Sequence, residues 1–140
     1  MVALSDSARA LLTSGRLAHV VTLNADGSPQ VTIVWAGVDG DEIVLAHLGA
    51  GQKIRNLERD PRVALSVEGT EVQGPGLQQY LVVYGTARIT EGGAPELLQQ
   101  FAHLYLGPDV KFPPGDDPPP GRVVHIAVDR VAGVGPWAAG

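Results

Sequence analysis

The stretch that decides the fold is residues 16–48, which read RLAHVVTLNADGSPQVTIVWAGVDGDEIVLAHL. Apolar side chains recur at every second position over Arg16–Leu23, the pattern of a β-strand. Asn24–Pro29 predicts a turn, because Asp-Gly tolerates positive φ and proline cannot continue a strand ladder. A second strand is expected over Gln30–Ala36, followed by a turn at Val38–Asp41 and a third strand over Glu42–Leu48. The stretch therefore predicts an antiparallel meander.

Helices and further strands are predicted on both sides of this meander. Helical composition and capping signals favour helices over Ser5–Ser14, over Gln52–Asp60, and from Pro95 to just before Gly107. Three more strands are expected over Arg62–Glu68, Gln79–Thr90 and Arg122–Val128. A glycine within the long strand, Gly85, suggests a bulge or a barrel corner. The segment Pro108–Gly121 holds six of the eleven prolines and is expected to be a loop.

The order of these elements predicts a mainly β fold. Six or more antiparallel strands without βαβ alternation favour a β-barrel with short helices over its openings. No repeat or boundary divides the chain, so residues 1–140 are expected to form a single domain. A barrel of so few strands fills its interior with side chains, so any sizeable cofactor has to lie outside it.

Composition limits the partners and the compartment. The net charge is −5, and the ten basic residues are scattered along the chain, so nucleic acid and membrane are not expected as partners. The absence of cysteine excludes disulfides and thiolate metal sites. No apolar run is long enough for a signal peptide or a membrane span, which favours a cytoplasmic protein.

Metal and hydrolase sites have no support in the pattern. The four histidines stand on separate predicted elements without metal-ligand spacing, so no metal site is expected. No serine stands in a nucleophile motif. Only His47 stands out, because it ends the third strand immediately before a glycine break.

The strongest local signal is Gly49–Lys53, with the sequence GAGQK, which opens a helix directly after a strand. Free amide groups at a helix start, the positive end of the helix dipole and a lysine suit an anion such as phosphate. Glycine-rich turns are also common as plain connections. The pattern alone leaves both interpretations open.

Three segments resemble the pyridoxamine 5′-phosphate oxidase-like split-barrel family. They are Asp26–Thr32, Gly51–Leu57 and Asp60–Val63, and a weaker similarity extends through Tyr84–Ala87 to the C-terminal tail. The resemblance implies a dimer of split barrels that binds two flavin-type cofactors in grooves at the interface, together with a small-molecule substrate.

Carried over position by position, the resemblance implies a set of cofactor-binding residues. The second strand would lie along the tricyclic ring, the third strand would line the way to the phosphate, and the following helix start would hold it. Arg55 would reach an anionic tail, and Trp137 either covers the ring bound to the partner subunit or has a packing role. The full set is Val31, Thr32, Ile33, Val34, Ala46, His47, Gly51, Gln52, Lys53, Arg55 and Trp137.

One departure from the family pattern concerns the cations. Typical binders of flavin mononucleotide (FMN) in this family have arginine at the position of Val31 and an Arg-Lys pair where this chain has Gln52 and Lys53. The pattern here is similar to the branch that uses the deazaflavin coenzyme F420, which attaches through a phosphodiester. The implied activity is that of an F420-dependent oxidoreductase that transfers a hydride to or from a small conjugated substrate, and no side chain stands out as catalytic acid.

Two alternatives remain open from the sequence. One is an FMN-dependent oxidase or reductase of the same fold. The other is a protein that binds a cofactor without catalysis, or a haem binder with His47 or His125 as ligand. In each flavin-type case a homodimer is expected, because the alternating strands leave an apolar outer face that a monomer would expose.

Overall fold

A computed structural model describes residues 2–138 of the chain, so the predicted domain bounds at residues 1 and 140 lie outside the described residues. Three helices and seven strands follow one another in this order: α1 (Asp6–Leu12), β1 (Ala18–Leu23), β2 (Pro29–Val34), β3 (Gly37–Asp39), β4 (Glu42–His47), α2 (Gln52–Arg59), β5 (Arg62–Gln73), β6 (Leu77–Glu91), α3 (Ala94–Tyr105) and β7 (Arg122–Val134). The predicted mainly β architecture with short helices is confirmed.

All seven strands form one antiparallel sheet with the order β2-β1-β5-β6-β7-β4-β3. The edge strands β2 and β3 are also consecutive in the chain, and only Trp35 and Ala36 separate them. Three Cα steps of about 3.8 Å join Val34 to Gly37, so the two sheet edges lie at most about 11 Å apart at this point. The sheet therefore has to curl into a barrel, and because β2 and β3 do not pair, the barrel is split.

The core lies inside this curled sheet. Every second residue of these strands points inward and is buried, as the alternating pattern predicts, and the residues between them are at least partly exposed. Apolar residues of α1 and α2 close the core, and all of the following are less than 3% exposed: Ala8, Leu12, Val20, Ile43, Leu45, Ile54, Leu65, Leu81, Val83, Val124, Ile126 and Val128.

The bulge suggested at Gly85 is present. The register of β6 against β7 shifts between Tyr84 and Gly85. A Cβ on Gly85 would lie 2.5 Å from the carbonyl oxygen of Ala127, so the close approach of β7 requires glycine here.

The strand boundaries differ most from the sequence-based expectation in three places. Gly37–Asp39 forms β3, although the sequence favoured a turn there, because three residues are too short to show an alternating pattern. Strand β5 continues past the predicted end at Glu68, across a register shift between Glu68 and Val72. Strand β7 extends beyond Val128 to Val134, because the long β6 offers it pairing partners.

The hydroxyl group of Tyr105, at the end of α3, joins the β2–β3 connection to the residue that lies two positions before β1. The backbone N–H of Ala36 donates to this hydroxyl over 3.0 Å. The hydroxyl in turn lies 2.9 Å from the carbonyl oxygen of Arg16 and 3.1 Å from that of Ala36, and it donates its proton to this pair of acceptors. Burial raises the pKa of Tyr105, so the phenol keeps this proton at neutral pH.

We expect Tyr105→Phe to lower the free energy of unfolding by about 1–3 kcal/mol, because a partly buried backbone N–H loses its acceptor and gains no other. Tyr80→Phe is the matched control, since Tyr80 is 42% exposed on the barrel surface. Urea unfolding of both variants makes the comparison. Equal losses in the two variants would show that the Tyr105 hydroxyl does not stabilise the β2–β3 connection.

Candidate functional site

The start of α2 is open towards solvent and carries no acidic side chain. Gly51 is the N-cap and makes no side-chain capping bond, and the first turn holds no aspartate or glutamate. The first amide groups of a helix have no partner within the helix. A Cβ at Gly49 or at Gly51 would meet nothing within 4 Å, so the chain itself does not require glycine at either position. The open space beside these amides fits a ligand that approaches the backbone closely.

Lys53, in the first turn of α2, is buried. Its side chain is only 8% exposed, and its Nζ donates to the hydroxyl oxygen of Thr32 on β2 over 2.9 Å. Burial lowers the pKa of Lys53 to about 8, so the ammonium group is mostly charged at neutral pH. Within residues 2–138 no carboxylate forms a salt bridge with it. A buried cation without a counter-ion is unfavourable in the isolated chain, and an incoming anion removes that cost.

His47, at the end of β4, is a neutral neighbour of this lysine. Its Nε2 is buried and has no hydrogen-bond partner in the described part of the chain. Burial, together with the positive charge of Lys53, lowers the pKa of His47 to about 4. The imidazole is therefore uncharged at neutral pH, and the positive charge of the site comes from Lys53.

Both residues line one cavity of about 290 Å³ at the open edge of the barrel. Seven of its nine lining residues are apolar, and Lys53 is the charged one. The lining comprises Leu17, Ile33, Val34, Trp35, Ala46, His47, Lys53, Leu98 and Phe112.

Four of the lining residues were not expected from the sequence: Leu17, Trp35, Leu98 and Phe112. Aromatic residues make up 5% of the chain, and four of the seven, Trp35, Phe101, Tyr105 and Phe112, form ring-to-ring contacts. The small number of aromatic residues is visible in the sequence and makes each of them a candidate for a specific contact. The ring-to-ring contacts themselves join segments far apart in the chain, so the sequence does not show which rings come together.

Asn56 is a further residue that the sequence-based reasoning missed. It is fully buried, and its Nδ2 donates to Thr22 Oγ1 over 3.0 Å and to Asn24 Oδ1 over 2.9 Å. These bonds fasten α2 to the β1–β2 hairpin and so fix where the helix starts. The available signal was a polar residue one helical turn after Lys53, on the face that also carries the buried Leu57.

Gln52 and Arg55 lie near the helix start but outside this cavity. Arg55 donates to the carbonyl oxygen of Ala50 over 3.0 Å and to Gln52 Oε1 over 2.9 Å. Gln52 Nε2 donates to Asn56 Oδ1 over 2.7 Å. The two side chains therefore form the outer rim of the helix start, whereas Lys53 lies inside.

The predicted residues on β2 divide between the two faces of the strand. Val31 and Ile33 are 61% and 58% exposed, whereas Thr32 and Val34 are half-buried towards the interior. Only Ile33 and Val34 of these four line the cavity, although Thr32 reaches it through its bond with Lys53.

Trp137 lies apart from the other predicted residues. Its Nε1 donates to the carbonyl oxygen of Tyr80 over 2.9 Å, and its ring lines a separate groove with residues of α1, β5 and β6. In one copy of the chain it does not meet the Lys53 cavity.

Residues 2–138 contain neither a metal-binding cluster nor a membrane-spanning helix. No cluster of three histidine or acidic side chains is arranged to hold a metal ion. No helix of this range combines the length and the apolar character needed to cross a membrane.

Fold and site together define the class of protein. The chain is a split β-barrel whose opening carries a small apolar cavity with one buried cation at a helix start. Residues 4–135 match the family model described as pyridoxamine 5′-phosphate oxidase. The chain belongs to this family, as the sequence resemblance predicted.

Solved structures with the same fold include an F420 reductase, with 27% identity and a TM-score of 0.71 over 89% of this chain and 94% of that chain. A putative pyridoxamine 5′-phosphate oxidase from Listeria innocua shares 17% identity, with a TM-score of 0.67 over 92% and 96% of the two chains. An FMN-binding protein from Syntrophomonas wolfei subsp. wolfei shares 14% identity, with a TM-score of 0.66 over 91% and 83%. No curated protein sequence matches the chain significantly.

The buried lysine predicts a specific pH dependence of stability. Lys53 has a pKa of about 8 in the folded protein and 10.5 in the unfolded chain. Between these values the unfolded state binds more protons, so the free energy of unfolding rises with pH. We expect the wild type to gain about 1–3 kcal/mol over this window relative to Lys53→Met, which lacks the titrating group.

Urea unfolding of both proteins at several pH values across the window measures this difference. Below pH 8 the methionine variant should be the more stable of the two, because it does not bury a charge. Parallel stability curves for wild type and variant would contradict the burial of a charged Lys53.

Proposed function

We propose that the protein is an F420-dependent oxidoreductase that transfers a hydride between the deazaflavin and a small conjugated substrate. The observation that carries this proposal is the single buried cation, Lys53, in a cavity whose other lining side chains are uncharged. The fold it shares with an F420 reductase supports the same cofactor.

The choice of cofactor follows from the charge that the site offers. A terminal flavin phosphate carries nearly two negative charges at neutral pH, whereas a phosphodiester carries one. The positions that provide cations in typical FMN binders hold Val31, Gln52 and Lys53 here, and His47 is neutral. One buried lysine therefore matches the phosphodiester of F420 better than the phosphate of FMN.

Each predicted residue has a role in this proposal. The free amides after Gly51, together with Gln52 and Lys53, hold the phosphodiester, and Arg55 lies on the rim where a charged tail leaves the groove. The residues Val31–Val34 lie along the tricyclic ring, with Ala46 and His47 between ring and phosphate. Trp137 is assigned to cover the ring bound to the partner subunit.

The reaction requires little proton chemistry from the protein. The bound cofactor supplies or accepts the hydride. Reduction of the substrate by a hydride is completed by one proton from water, because Lys53, the one protonated side chain in the cavity lining at neutral pH, is assigned to the phosphodiester. The apolar walls exclude water from the ring face, and the chain orients the two reactants.

We expect the apoprotein to bind F420 at least tenfold more tightly than FMN, a difference of about 1.4 kcal/mol. Fluorescence titration with both cofactors in one buffer measures it. Equal affinities, or tighter binding of FMN, would favour the FMN-dependent alternative, in which Arg55 turns into the phosphate site. The absorbance spectrum of the purified protein distinguishes an F420-binding or FMN-binding protein from a haem binder.

Lys53→Met should weaken F420 binding by about 1–3 kcal/mol, the usual contribution of a charge-assisted hydrogen bond. The matched control is Lys111→Met, because the ammonium of Lys111 lies in an exposed ion pair with Asp116. F420 affinity of the wild type should also fall as the pH rises above 8, where Lys53 loses its proton. Unchanged F420 affinity in Lys53→Met would show that Lys53 does not contribute to cofactor binding.

A homodimer is part of this proposal, and the outer face of the sheet supports it. Val31, Val21, Ala64 and Tyr84 are Cα partners in a row across β2, β1, β5 and β6. All four point away from the core, and Val31 and Tyr84 are 61% and 40% exposed. A continuous apolar row over four strands is typical of an interface between subunits, and a second copy would supply the missing wall of the groove.

We expect light scattering to give about twice the chain mass of 14.6 kDa for the wild type, and a smaller mass for Tyr84→Glu. Leu106→Glu is the control, because Leu106 is 55% exposed but lies at the end of α3, away from this row. A monomeric wild type that binds F420 tightly would contradict the dimer.

A further inference from the structure

The chain contains only two lysines, Lys53 and Lys111, and their surroundings differ. The side chain of Lys111 is 65% exposed and forms an ion pair with Asp116 over 3.2 Å. Lys53 is 8% exposed, and its Nζ donates to the hydroxyl oxygen of Thr32 but pairs with no carboxylate of residues 2–138. Burial without a counter-ion disfavours the charged form of an amine and so favours the neutral, nucleophilic form.

The lowered pKa of Lys53, about 8, makes this side chain a nucleophile at neutral pH. About one in ten of these side chains carries the free amine at pH 7, whereas fewer than roughly one in a thousand ordinary lysines do. Only the free amine attacks a carbonyl carbon, and a lysine in an apolar pocket is activated in this way.

The cavity allows a small ligand to reach this amine, because Lys53 lines a space of about 290 Å³. Condensation with a carbonyl compound gives an imine, and a protonated imine keeps the positive charge at the position of Nζ. Since no carboxylate of residues 2–138 pairs with Nζ, a carbonyl compound with its own carboxylate gains an ion pair that an uncharged one lacks. The free amides of the same helical turn are further donors for that carboxylate.

We propose that Lys53, in the chain without its cofactor, is a covalent site for small 2-oxo carboxylates such as glyoxylate, which condense with its amine inside the cavity. This inference goes beyond the proposed function, because it concerns a second class of ligand and requires no property of F420.

The condensation balances without an oxidant or a reductant. The lone pair of Nζ attacks the carbonyl carbon and forms a C–N bond. The two hydrogens of the neutral amine then leave with the carbonyl oxygen as water, and a C=N bond remains. Addition of water reverses the step, so the adduct has to be trapped before it is measured.

The two lysines allow the test to be made within one molecule. The full-length apoprotein is incubated at pH 7 with glyoxylate and cyanoborohydride, which reduces the imine to a stable secondary amine, and peptide mapping measures the adduct at each lysine. We expect Lys53 to be labelled at least about fivefold faster than Lys111, because its amine is free at this pH. The labelling of Lys53 should rise with pH and level off above pH 8.

Three controls separate the site from general lysine chemistry. Acetaldehyde has the same reactive group without the carboxylate, so its preference for Lys53 should be at least about threefold smaller. In urea, where the cavity is lost, the two lysines should react with glyoxylate within about twofold of each other. In Asp116→Asn the preference should persist, although the carboxylate that repels glyoxylate from Lys111 is gone.

Each control has an outcome that contradicts the inference. Equal labelling of the two lysines in the folded protein would overturn the reactive amine. An equal preference with acetaldehyde would overturn the choice of a carboxylate ligand. A preference that survives in urea, or one that disappears in Asp116→Asn, would trace the difference to the local sequence or to Asp116 and would overturn the site.

Discussion

The two-residue connection between β2 and β3 is the constraint on which the rest of the structure depends. Trp35 and Ala36 join strands at opposite edges of a seven-stranded sheet, so the sheet cannot remain open. The two edges meet without pairing, and the hydroxyl of Tyr105 bonds the backbone at Ala36 and Arg16 instead. The closure thus leaves an opening in the barrel wall, and the cavity lies at this opening with Trp35 in its lining.

A second constraint acts across this opening. Lys53 is buried with a hydroxyl as its partner and no counter-ion in the described part of the chain, which favours binding of an anion over the isolated state. The helix that carries it is fixed through Asn56 to the hairpin formed by the first two strands. Helix α2 therefore fixes the position of the cation Lys53 relative to the β1–β2 hairpin. Membership in the pyridoxamine 5′-phosphate oxidase family is consistent with this arrangement.

Much of the fold was predictable because its signals are local. The Asp-Gly turn, the alternation in β1 and the bulge at Gly85 each depend on residues adjacent in the chain, and the structure contains all three. The position of Lys53 at a helix start was predictable for the same reason. Its burial was not, because a lysine in a first helical turn has the same local pattern whether its side chain faces water or the hydroxyl of Thr32.

The sequence by itself determined the class of fold, the meander, the start of α2 and the family, since periodicity, turn chemistry and short motifs are properties of neighbouring residues. Only the tertiary structure decided that β3 exists, that Phe112 and Leu98 line one cavity with Trp35, and that Trp137 lies apart from Lys53 in one copy of the chain. The physical reason is closure of the sheet, which brings together segments far apart in the chain, such as those of Trp35 and Phe112, which are 77 residues apart. No local preference of either residue specifies such a contact, which exists because the barrel and its loop are packed as a whole.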